Sequence, residues 1–467
     1  MRLKYIIYPL AVMAFMVMLN GCEKFTEGFN NDPTQLTDAS EVNIFSGAQL
    51  AYMQFDEGEL ARLAAIFTQQ ATGASQQYAS YQNYSLASED FSNAWATAYV
   101  DCFANIKIVE GKATSKANLR GAAEVLEGLH MGTMTALWGD IPYSQANQVL
   151  ANKNIQPTFD DQLTVYSNVQ TVLTKGIADL ATLDGSLSSD IFSSGNDISL
   201  WKKLAYSAKA RYYMHVARYY SYSLAYMDSV INNGLKGMIA TTGADDISFT
   251  HGTAQGGNQN LWYSFLQNDR AGYMDASVTF AQPMLYYRNV DGKSVDTARM
   301  QYYYSKSAKY LDLNYVDGAC AISNSFPIIR ASETLTLIAE AYYRKGDLPS
   351  ALTYLNFART YANNVYGSSL TEYASMDAAV TGTKLLQSIL NEEYLALMLQ
   401  MEGFNFARRV NFAITYTDSS SLAVVHTITP ITGTVFPQRY LYSMDEIDAN
   451  PHTPSTTLNQ VTTVNSK

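Results

Sequence analysis

The chain has 467 residues and a formal net charge of −11; 47% of its residues are hydrophobic and 16% are charged. This composition predicts an ordered, globular protein and excludes a largely disordered one, which would carry more charge and fewer apolar side chains. A nucleic acid partner would need clusters of Lys and Arg, and none are present; an acidic surface is compatible with a neutral ligand.

The chain begins with the pattern of a bacterial secretory leader. Two basic residues precede an apolar run from Tyr5 to Leu19, and a glycine lies directly before Cys22. The run is shorter than the ~20 apolar residues of a transmembrane helix, so residues 1–21 are predicted to be a cleaved signal peptide. A cysteine at this position favours lipidation of Cys22; the alternative is an ordinary leader with an incidental cysteine. Either way, the mature protein is predicted to work outside the cytoplasm.

Beyond a polar tether at 22–40, the chain alternates helical periodicity with short polar joints. Apolar side chains recur at three- and four-residue steps, which predicts amphipathic helices that bury one face. The predicted helices are Glu41–Thr72, Phe91–Glu110, Gly121–Leu137, Asp161–Leu180 and Ser199–Tyr220.

The clearest unit is a helical hairpin within Ala331–Asn364. Its apolar stripe is interrupted at 345–347, and Pro349 stands in the first turn of the second helix, where a proline fits. Two helices over about 34 residues are the size of a tetratricopeptide unit. No strict repeat period is present, so such hairpins are expected to be degenerate. The predicted fold class is all-α, with tetratricopeptide-like hairpins stacked in a single domain over 41–467.

A loop-rich insert at about 241–323 interrupts the helical pattern. It contains a Gly-, Asn- and Gln-rich string at 251–260, and loops on a rigid scaffold often carry function. Aromatic rings can stack on the C–H faces of sugars while amides bind hydroxyl groups, so a loop with both suits a carbohydrate. Together with a second loop at Ser75–Glu89, the insert supplies the predicted ligand-binding residues Trp262, Tyr263, Asn258, Asn260, Tyr273, Tyr81 and Tyr84.

Other interpretations of the aromatic residues remain open. Exposed aromatic side chains also mark protein interfaces, and most of the 35 tyrosines are expected to pack between helices. On the binding hypothesis, Trp262→Ala weakens ligand binding strongly and leaves thermal unfolding nearly unchanged. Helix-borne residues that are predicted to belong to the core are Trp95, Trp138, Trp201, His130 and His215.

The sequence carries no recognisable catalytic motif. HExxH, GxSxG, P-loop and CxxC patterns are absent. Glu392 and Glu393 are neighbours on a predicted helix and are expected to be solvated and to point apart. The sequence therefore offers no candidate catalytic residue, no cofactor site and no metal ligand, although it does not exclude two carboxylates spaced for glycoside hydrolysis. Cys102 and Cys320 either form a disulfide or stay free.

Several strings along the chain together resemble the SusD/RagB family of outer-membrane lipoproteins from the Bacteroidota. Each string is short, and their order and combination carry a resemblance that spans nearly the whole mature chain. The strings are Asn30-Asn31-Asp32-Pro33, Leu137-Trp138-Gly139-Asp140-Ile141-Pro142-Tyr143, Pro327-Ile328-Ile329-Arg330-Ala331, Asn391-Glu392-Glu393-Tyr394, Glu402-Gly403-Phe404-Asn405 and Phe436-Pro437-Gln438-Arg439-Tyr440. The second string is similar to that of the branch typified by Gly-Asp-x-Pro-Tyr.

These strings also have plain structural interpretations. The string at 137–143 is predicted to end a helix, with Gly139 at positive φ and Pro142 preventing continuation. Glu340 and Glu402 are likewise expected to belong to the framework.

The resemblance implies a helical protein in which four tetratricopeptide-like helix pairs support a variable, loop-rich part. It also implies a lipid-anchored protein on the surface of the outer membrane, which lies over a TonB-dependent transporter of the SusC type and captures oligosaccharides for import. The resemblance also implies that the protein is not an enzyme. Some relatives take peptides, so a peptide ligand is the first alternative; a surface glycosidase, which the resemblance disfavours, and a purely structural scaffold are the others. The binding loops vary within the family, so the resemblance supplies no ligand residue.

Overall fold

Helices account for most of the described residues, which confirms the predicted all-α class. The computed structural model describes residues 39–146, 154–182, 187, 190–193, 195–287, 296–307, 309–370, 382–417, 424–433 and 435–467. Glu41–Lys467 forms a compact unit. The predicted signal peptide, Cys22 and nearly all of the predicted tether lie outside the described residues. Within the ranges just given, no helix combines the length and the apolar character needed to span a bilayer.

The α-helices follow the predicted periodicity closely in the first half of the chain. There they are α1 (Glu41–Glu57), α2 (Glu59–Phe67), α3 (Gln76–Gln82), α4 (Ser92–Ala96), α5 (Ala104–Lys112), α6 (Ala117–Trp138), α7 (Gln162–Asp179), α8 (Ile198–Ala217) and α9 (Leu224–Gly234). The later helices are α10 (Leu261–Tyr263), α11 (Ala281–Tyr287), α12 (Thr297–Tyr303), α13 (Ala331–Arg344), α14 (Leu348–Tyr366), α15 (Thr383–Ala396), α16 (Met401–Arg409) and α17 (Met444–Ala449). π-Helical segments at Thr97–Phe103 and Ser264–Asp269 extend α4 and α10.

The predicted long helix Glu41–Thr72 is divided in two. Gly58, between α1 and α2, has φ −75° and ψ −138°, which lies outside the helical region. A Cβ at this position would lie 2.2 Å from the backbone oxygen of Gln54, so a larger residue would not fit this geometry. The break was missed because a single glycine inside a periodic pattern is often tolerated by a helix.

Short antiparallel strand pairs join distant parts of the chain. β1 (Thr72–Gly73) pairs with β3 (Met274–Asp275), β2 (Ile247–Phe249) with β4 (Phe326–Ile329), and β5 (Thr415–Thr417) with β6 (Val425–Thr427). The first two pairs fasten the insert at 241–323 to the helical scaffold. The insert is less irregular than predicted, since it contains α10, α11 and α12.

The predicted hairpin is present as α13 and α14. Gly346 lies in the connecting turn with φ +85°, Asp347 accepts a hydrogen bond from the Ser350 N–H at 3.1 Å, and Pro349 lies in the first turn of α14. Helix α13 also packs against α9 and α15, so its apolar stripe is buried by stacking on neighbouring helices. This arrangement confirms the tetratricopeptide-like character.

Helices α6 and α7 approach each other closely through glycine. A Cβ added to Gly121 would lie 2.8 Å from the backbone oxygen of Gly176, and one added to Gly176 would lie 2.9 Å from that of Gly121. Backbones can come this close only where neither residue has a side chain. As a result α6 is buried along nearly its whole length.

The string at 137–143 closes α6, as predicted. Gly139 follows the helix with φ +84°, and its N–H donates to the Thr135 carbonyl at 2.9 Å. The indole N–H of the buried Trp138 donates to the Leu441 carbonyl at 2.6 Å, and the Tyr440 N–H donates to the Leu137 carbonyl at 2.9 Å. The string therefore fixes the C-terminal segment to α6, which confirms its structural role.

Buried ion pairs join α15 and α16 to the rest of the scaffold. Arg409 pairs with both Glu340 and Glu393 at 2.7 Å, and Glu392 pairs with Arg299 at 2.7 Å. The prediction that Glu392 and Glu393 are solvated is therefore wrong. The two side chains do point apart, but each reaches a different buried arginine, and these pairings offset the free-energy cost of burying the carboxylates.

Other polar residues assigned to the core by the sequence are also buried there. Both ring nitrogens of His215 are hydrogen-bonded, one to Glu402 at 2.7 Å and the other to the Tyr166 hydroxyl at 2.9 Å. His130 is buried with Nε2 2.9 Å from the Ala98 carbonyl oxygen.

The tryptophans that the sequence assigns to the core are also buried: Trp95, Trp138 and Trp201. Cys102 and Cys320 are both buried, free thiols.

Candidate functional site

Trp262, the predicted ligand-stacking residue, belongs to the core. Its side chain is 0% exposed, and it lies with Tyr302 and Met398 around an internal space of only about 10 Å³. Because protein atoms cover both faces of the indole, a sugar ring has no access to it. The prediction that Trp262 stacks on a ligand does not hold in this structure.

Asn260 is also buried, and its amide serves the backbone. The side-chain oxygen accepts a hydrogen bond from the Tyr263 N–H at 3.0 Å and so caps α10, while the side-chain nitrogen donates to the Asn324 carbonyl at 3.0 Å. Asn is a favoured N-cap residue for this reason. The predicted role in ligand binding is therefore corrected to a structural one.

Tyr81 and Tyr84 hold the loop around residues 75–90 in place. Tyr81 is buried and its hydroxyl donates to Asp90 at 2.6 Å. The half-buried Tyr84 has φ +58°, and its hydroxyl accepts a hydrogen bond from the Ile431 N–H at 3.1 Å. Both hydroxyl groups are thus engaged within the protein, and Tyr81 has almost no surface left for a ligand.

Three predicted residues besides the half-buried Tyr84 keep exposed surface. Asn258 is exposed, and Tyr263 and Tyr273 are half-buried. Tyr273 packs its ring against Phe265, with ring centroids 6.5 Å apart, and stands in the chain between two residues that line a surface cleft. Of the seven predicted residues, these three and Tyr84 have side-chain surface that a ligand could contact.

That surface cleft, the loop cleft, has a volume of about 360 Å³. Leucine and methionine side chains form apolar parts of its wall, and two aspartates, a serine and an asparagine add polar groups. The side chain of Tyr310 is 58% exposed. The lining residues are Leu266, Gly272, Met274, Asp275, Ser305, Tyr310, Leu311, Asp312, Leu313 and Asn314.

Backbone hydrogen bonds hold the walls of the loop cleft. The Ala276 N–H donates to the Lys309 carbonyl at 2.8 Å, and the Ser305 N–H donates to the Tyr310 carbonyl at 2.9 Å. One carboxylate oxygen of Asp312 accepts from the N–H groups of Asn314 and Tyr315 at 2.9 and 3.0 Å. The cleft is therefore preformed, which lowers the entropy lost on binding.

A second cleft of about 300 Å³, the charged cleft, lies between α2, α4 and α10 with its π-helical extension. The guanidinium of Arg62 lies 4.1 Å from the ring centroid of Phe265, and its Nε–H donates to the Tyr78 hydroxyl at 2.9 Å. Burial raises the pKa of Glu59, and the nearby Arg62 opposes that shift. Residues between Leu261 and Asp275 contribute to both clefts.

The chemistry of the two clefts suits a ligand rich in hydroxyl groups. Carboxylates, amides and hydroxyls stand beside aliphatic and aromatic side chains, which matches the alternating polar and apolar surfaces of a sugar. In the part of the chain that the structure describes, no group of three or more His, Cys, Asp and Glu residues is placed to hold a metal ion.

Comparison with known protein families identifies the family of this chain. Residues 33–421 match the SusD-like family model, whose description is "Starch-binding associating with outer membrane". The chain belongs to the SusD-like family. This match covers most of the chain and confirms the resemblance to SusD/RagB proteins. No curated protein matches the sequence.

Solved structures share the fold of this SusD-like protein at low sequence identity. A SusD/RagB family protein from Bacteroides thetaiotaomicron is 19% identical, with a TM-score of 0.63 and coverage of 89% of this chain and 95% of the other. A chitin-binding SusD homologue from Flavobacterium johnsoniae is 14% identical, with a TM-score of 0.64 and coverage of 91% and 97%. A further structure, described as a chitin-binding protein, is 18% identical, with a TM-score of 0.65 and coverage of 92% and 100%.

The sequence located the insert of this SusD-like protein, but none of the seven predicted residues lines the loop cleft. Tyr310, Asp312 and Asn314 stand in the string 310–315, which has two tyrosines, an aspartate and an asparagine within six positions. That mixture is the same signal that drew attention to Trp262. A tryptophan in a glycine-rich loop is the more conspicuous sequence signal, although large aromatic side chains also contribute much of the packing in a core.

Proposed function

We propose that this SusD-like protein is a non-catalytic lipoprotein of the cell surface that binds an oligosaccharide in the loop cleft and delivers it to a SusC-type, TonB-dependent transporter. The observation that carries the proposal is the loop cleft itself, in which a preformed apolar wall, convergent polar groups and the exposed ring of Tyr310 stand together. The family description and the chitin-binding neighbours support a glycan as the ligand class.

In this proposal each part of the loop cleft recognises a different part of the sugar. The ring of Tyr310 stacks on a C–H face, which an aromatic side chain can cover without losing much conformational entropy. Asp275 and Asp312 accept hydrogen bonds from hydroxyl groups, and Asn314 both donates and accepts. Tyr273, Tyr263 and Asn258 are proposed as further contacts for a longer oligosaccharide that extends out of the cleft.

Tyr310→Ala is expected to weaken glycan binding about 30-fold, which corresponds to the loss of about 2 kcal/mol for an aromatic anchor at a binding site. A glycan array that includes chito- and malto-oligosaccharides first identifies a ligand, and isothermal titration then measures its affinity. Because Tyr310 is mostly exposed, unfolding should be nearly unaffected.

The matched control is Tyr286→Ala, since Tyr286 is 52% exposed in the same insert and is not among the residues that line the cleft. Affinity that is equal in wild type and Tyr310→Ala rejects the loop cleft as the site. Binding to peptides and to no glycan would favour the peptide alternative. Release of shorter sugars from the bound oligosaccharide would reject the non-catalytic part of the proposal.

Lipidation at Cys22 is proposed to keep the captured ligand beside the transporter. A tether confines the protein to the membrane surface and raises its effective concentration there. Three acyl chains on one residue exceed what stable anchoring requires, at ~0.8 kcal/mol for each buried CH₂. The outer membrane as the location rests on the family description.

Cys22→Ser is expected to release the protein from the membrane fraction, because the serine hydroxyl cannot take the place of the thiol in lipid attachment. Fractionation followed by immunoblotting measures the change, and Cys102→Ser is the control, since that buried thiol is free and remote from the leader in sequence. Membrane retention of the Cys22→Ser protein contradicts anchoring at this residue.

A further inference from the structure

A third cleft lies among the scaffold helices and shares no lining residue with the loop cleft or the charged cleft. This tyrosine cleft has a volume of about 250 Å³ and lies between α7, α8 and α9. Five of its nine lining residues are tyrosines, and none carries a charge. The lining residues are Leu163, Tyr166, Ser167, Gln170, Tyr212, Tyr213, Val216, Tyr220 and Tyr226.

The tyrosines form a wall that is partly open to solvent. Tyr220 and Tyr226 stack with centroids 4.5 Å apart and an angle of 12°, and Tyr213 meets Tyr226 edge-on at 6.2 Å. Tyr166 and Tyr212 are buried, whereas Tyr220 is 40% exposed. One wall of the cleft therefore offers aromatic surface that a ligand can contact.

The turn between α8 and α9 holds Tyr220 in this position. Ser221 and Tyr222 both have positive φ, at +53° and +52°, an uncommon conformation for residues other than glycine. The Tyr222 N–H donates to the Ala217 carbonyl at 2.7 Å, and the Ser223 N–H donates to the Tyr220 carbonyl at 3.1 Å. Backbone strain of this kind persists only where surrounding structure enforces it, and it concentrates at functional sites.

Gln170 supplies an acceptor that the protein itself does not use. Its side-chain nitrogen donates to the Lys209 carbonyl at 3.1 Å, while its side-chain oxygen is buried and has no hydrogen-bond partner among the described residues. A buried acceptor without a partner costs about 1–3 kcal/mol. A hydroxyl group that enters the cleft could satisfy it.

The lining favours a neutral ligand over an anionic one. The Lys209 ammonium lies 5.9 Å from the ring centroid of Tyr213, but Lys209 is not one of the lining residues. The ammonium donates to the Gln170 carbonyl at 3.1 Å and to the Thr174 hydroxyl at 2.6 Å, so the protein itself engages this charge. A polyproline peptide, which also binds aromatic grooves, extends by about 3.1 Å per residue and needs a longer groove.

We propose that the tyrosine cleft is a second glycan-binding site, which takes one or two neutral pyranose units. Its volume of about 250 Å³ is below the range of about 300–1,000 Å³ that is typical of pockets for drug-sized ligands. The cleft therefore suits a short ligand. The aromatic wall stacks on the sugar, and Gln170 and Ser167 bind its hydroxyl groups. The site stands apart from the loop cleft, so this proposal does not depend on the one made for that cleft.

The test is photo-crosslinking with diazirine derivatives of N,N′-diacetylchitobiose and maltose, followed by peptide mapping. We expect at least one of the two probes to label peptides within 163–170 or 212–226 of the wild-type protein. That labelling should persist in Tyr310→Ala and fall at least tenfold in Tyr220→Ala. Tyr226→Phe, which keeps the ring, should retain most of it.

Tyr219→Ala is the matched control, because Tyr219 is adjacent to Tyr220 and does not line the cleft. Circular dichroism checks that each variant is folded; the exposed Tyr220 can be removed without opening the core. Labelling that is confined to 261–315, or the absence of labelling by both probes, overturns the proposal. The proposal is also overturned if Tyr220→Ala and Tyr219→Ala reduce labelling at 163–170 or 212–226 equally. It is likewise overturned if a diazirine-bearing proline-rich peptide labels these segments and neither sugar probe does.

Discussion

Arg409→Met is expected to lower the free energy of unfolding by about 3–5 kcal/mol, because removal of one partner leaves buried carboxylates without compensation. Arg409 contacts both Glu340 and Glu393 at 2.7 Å, and all three side chains are almost fully buried. Burial opposes the charge on Glu340, yet Arg409 and Arg344 hold its pKa down to about 2. Urea denaturation followed by circular dichroism measures the loss.

The Arg409→Met effect should depend on pH in a defined direction. In the wild type the lowered pKa of Glu340 contributes stability above its ordinary value of 4.5, and this contribution is lost only as the pH falls toward 2. In the variant, burial without the arginine should raise that pKa, so the carboxylate destabilises the fold as the pH rises. The difference between the two proteins is therefore expected to be larger at pH 7 than at pH 4.5.

Lys345→Met is the matched control for Arg409→Met. Lys345 pairs with Asp228 at the surface, and exposed pairs contribute little because water screens them. We expect its unfolding midpoint to stay close to that of the wild type. Equal midpoints for Arg409→Met and Lys345→Met would show that the buried network does not stabilise the scaffold.

Trp262→Ala is expected to lower the free energy of unfolding by about 3–5 kcal/mol, the range found when a fully buried tryptophan or phenylalanine is truncated. The side chain is 0% exposed and packs beside Tyr302 and Met398, so its removal leaves a cavity. This expectation reverses the sequence-based one, in which binding was lost and unfolding was unchanged. Thermal and urea denaturation distinguish the two.

Trp262→Phe serves as the graded comparison, because it keeps an aromatic ring and should cost less than the alanine substitution. Binding of an array-identified oligosaccharide is measured on the folded fraction of each variant. If Trp262→Ala unfolds like the wild type and loses its affinity for the glycan, the indole contacts the ligand. That result would contradict a structural role for Trp262 in the core.

Much of the scaffold could be predicted because its signals are local. The 3.6-residue periodicity that defines α7 and α8 needs only the neighbouring residues, and the cap at Asp347 with Pro349 marks the start of α14. The break at Gly58 was not predictable in the same way. Its backbone conformation depends on how α1 and α2 pack, and one glycine does not specify that.

The candidate site could be predicted as a region and not residue by residue. Trp262 and Tyr310 both stand in polar surroundings in the sequence, yet one is in the core and the other at the surface. The difference comes from contacts with distant segments, such as Met398 beside Trp262. Likewise, the burial of Glu392 follows from Arg299, which is 93 positions away by number and adjacent only after folding.

The pairing of β1 with β3 has a consequence for the order of assembly. Thr72 bonds through its hydroxyl to the Val278 carbonyl at 2.8 Å, although the two residues are 206 positions apart. Closing so long a loop loses chain entropy before any contact repays it, so pairings of high sequence separation form late. Because Met274 and Asp275 are both β3 and part of the loop cleft, the cleft should form late in folding, after the helical hairpins. A partly folded chain could then contain the helical scaffold and still lack the walls of the loop cleft.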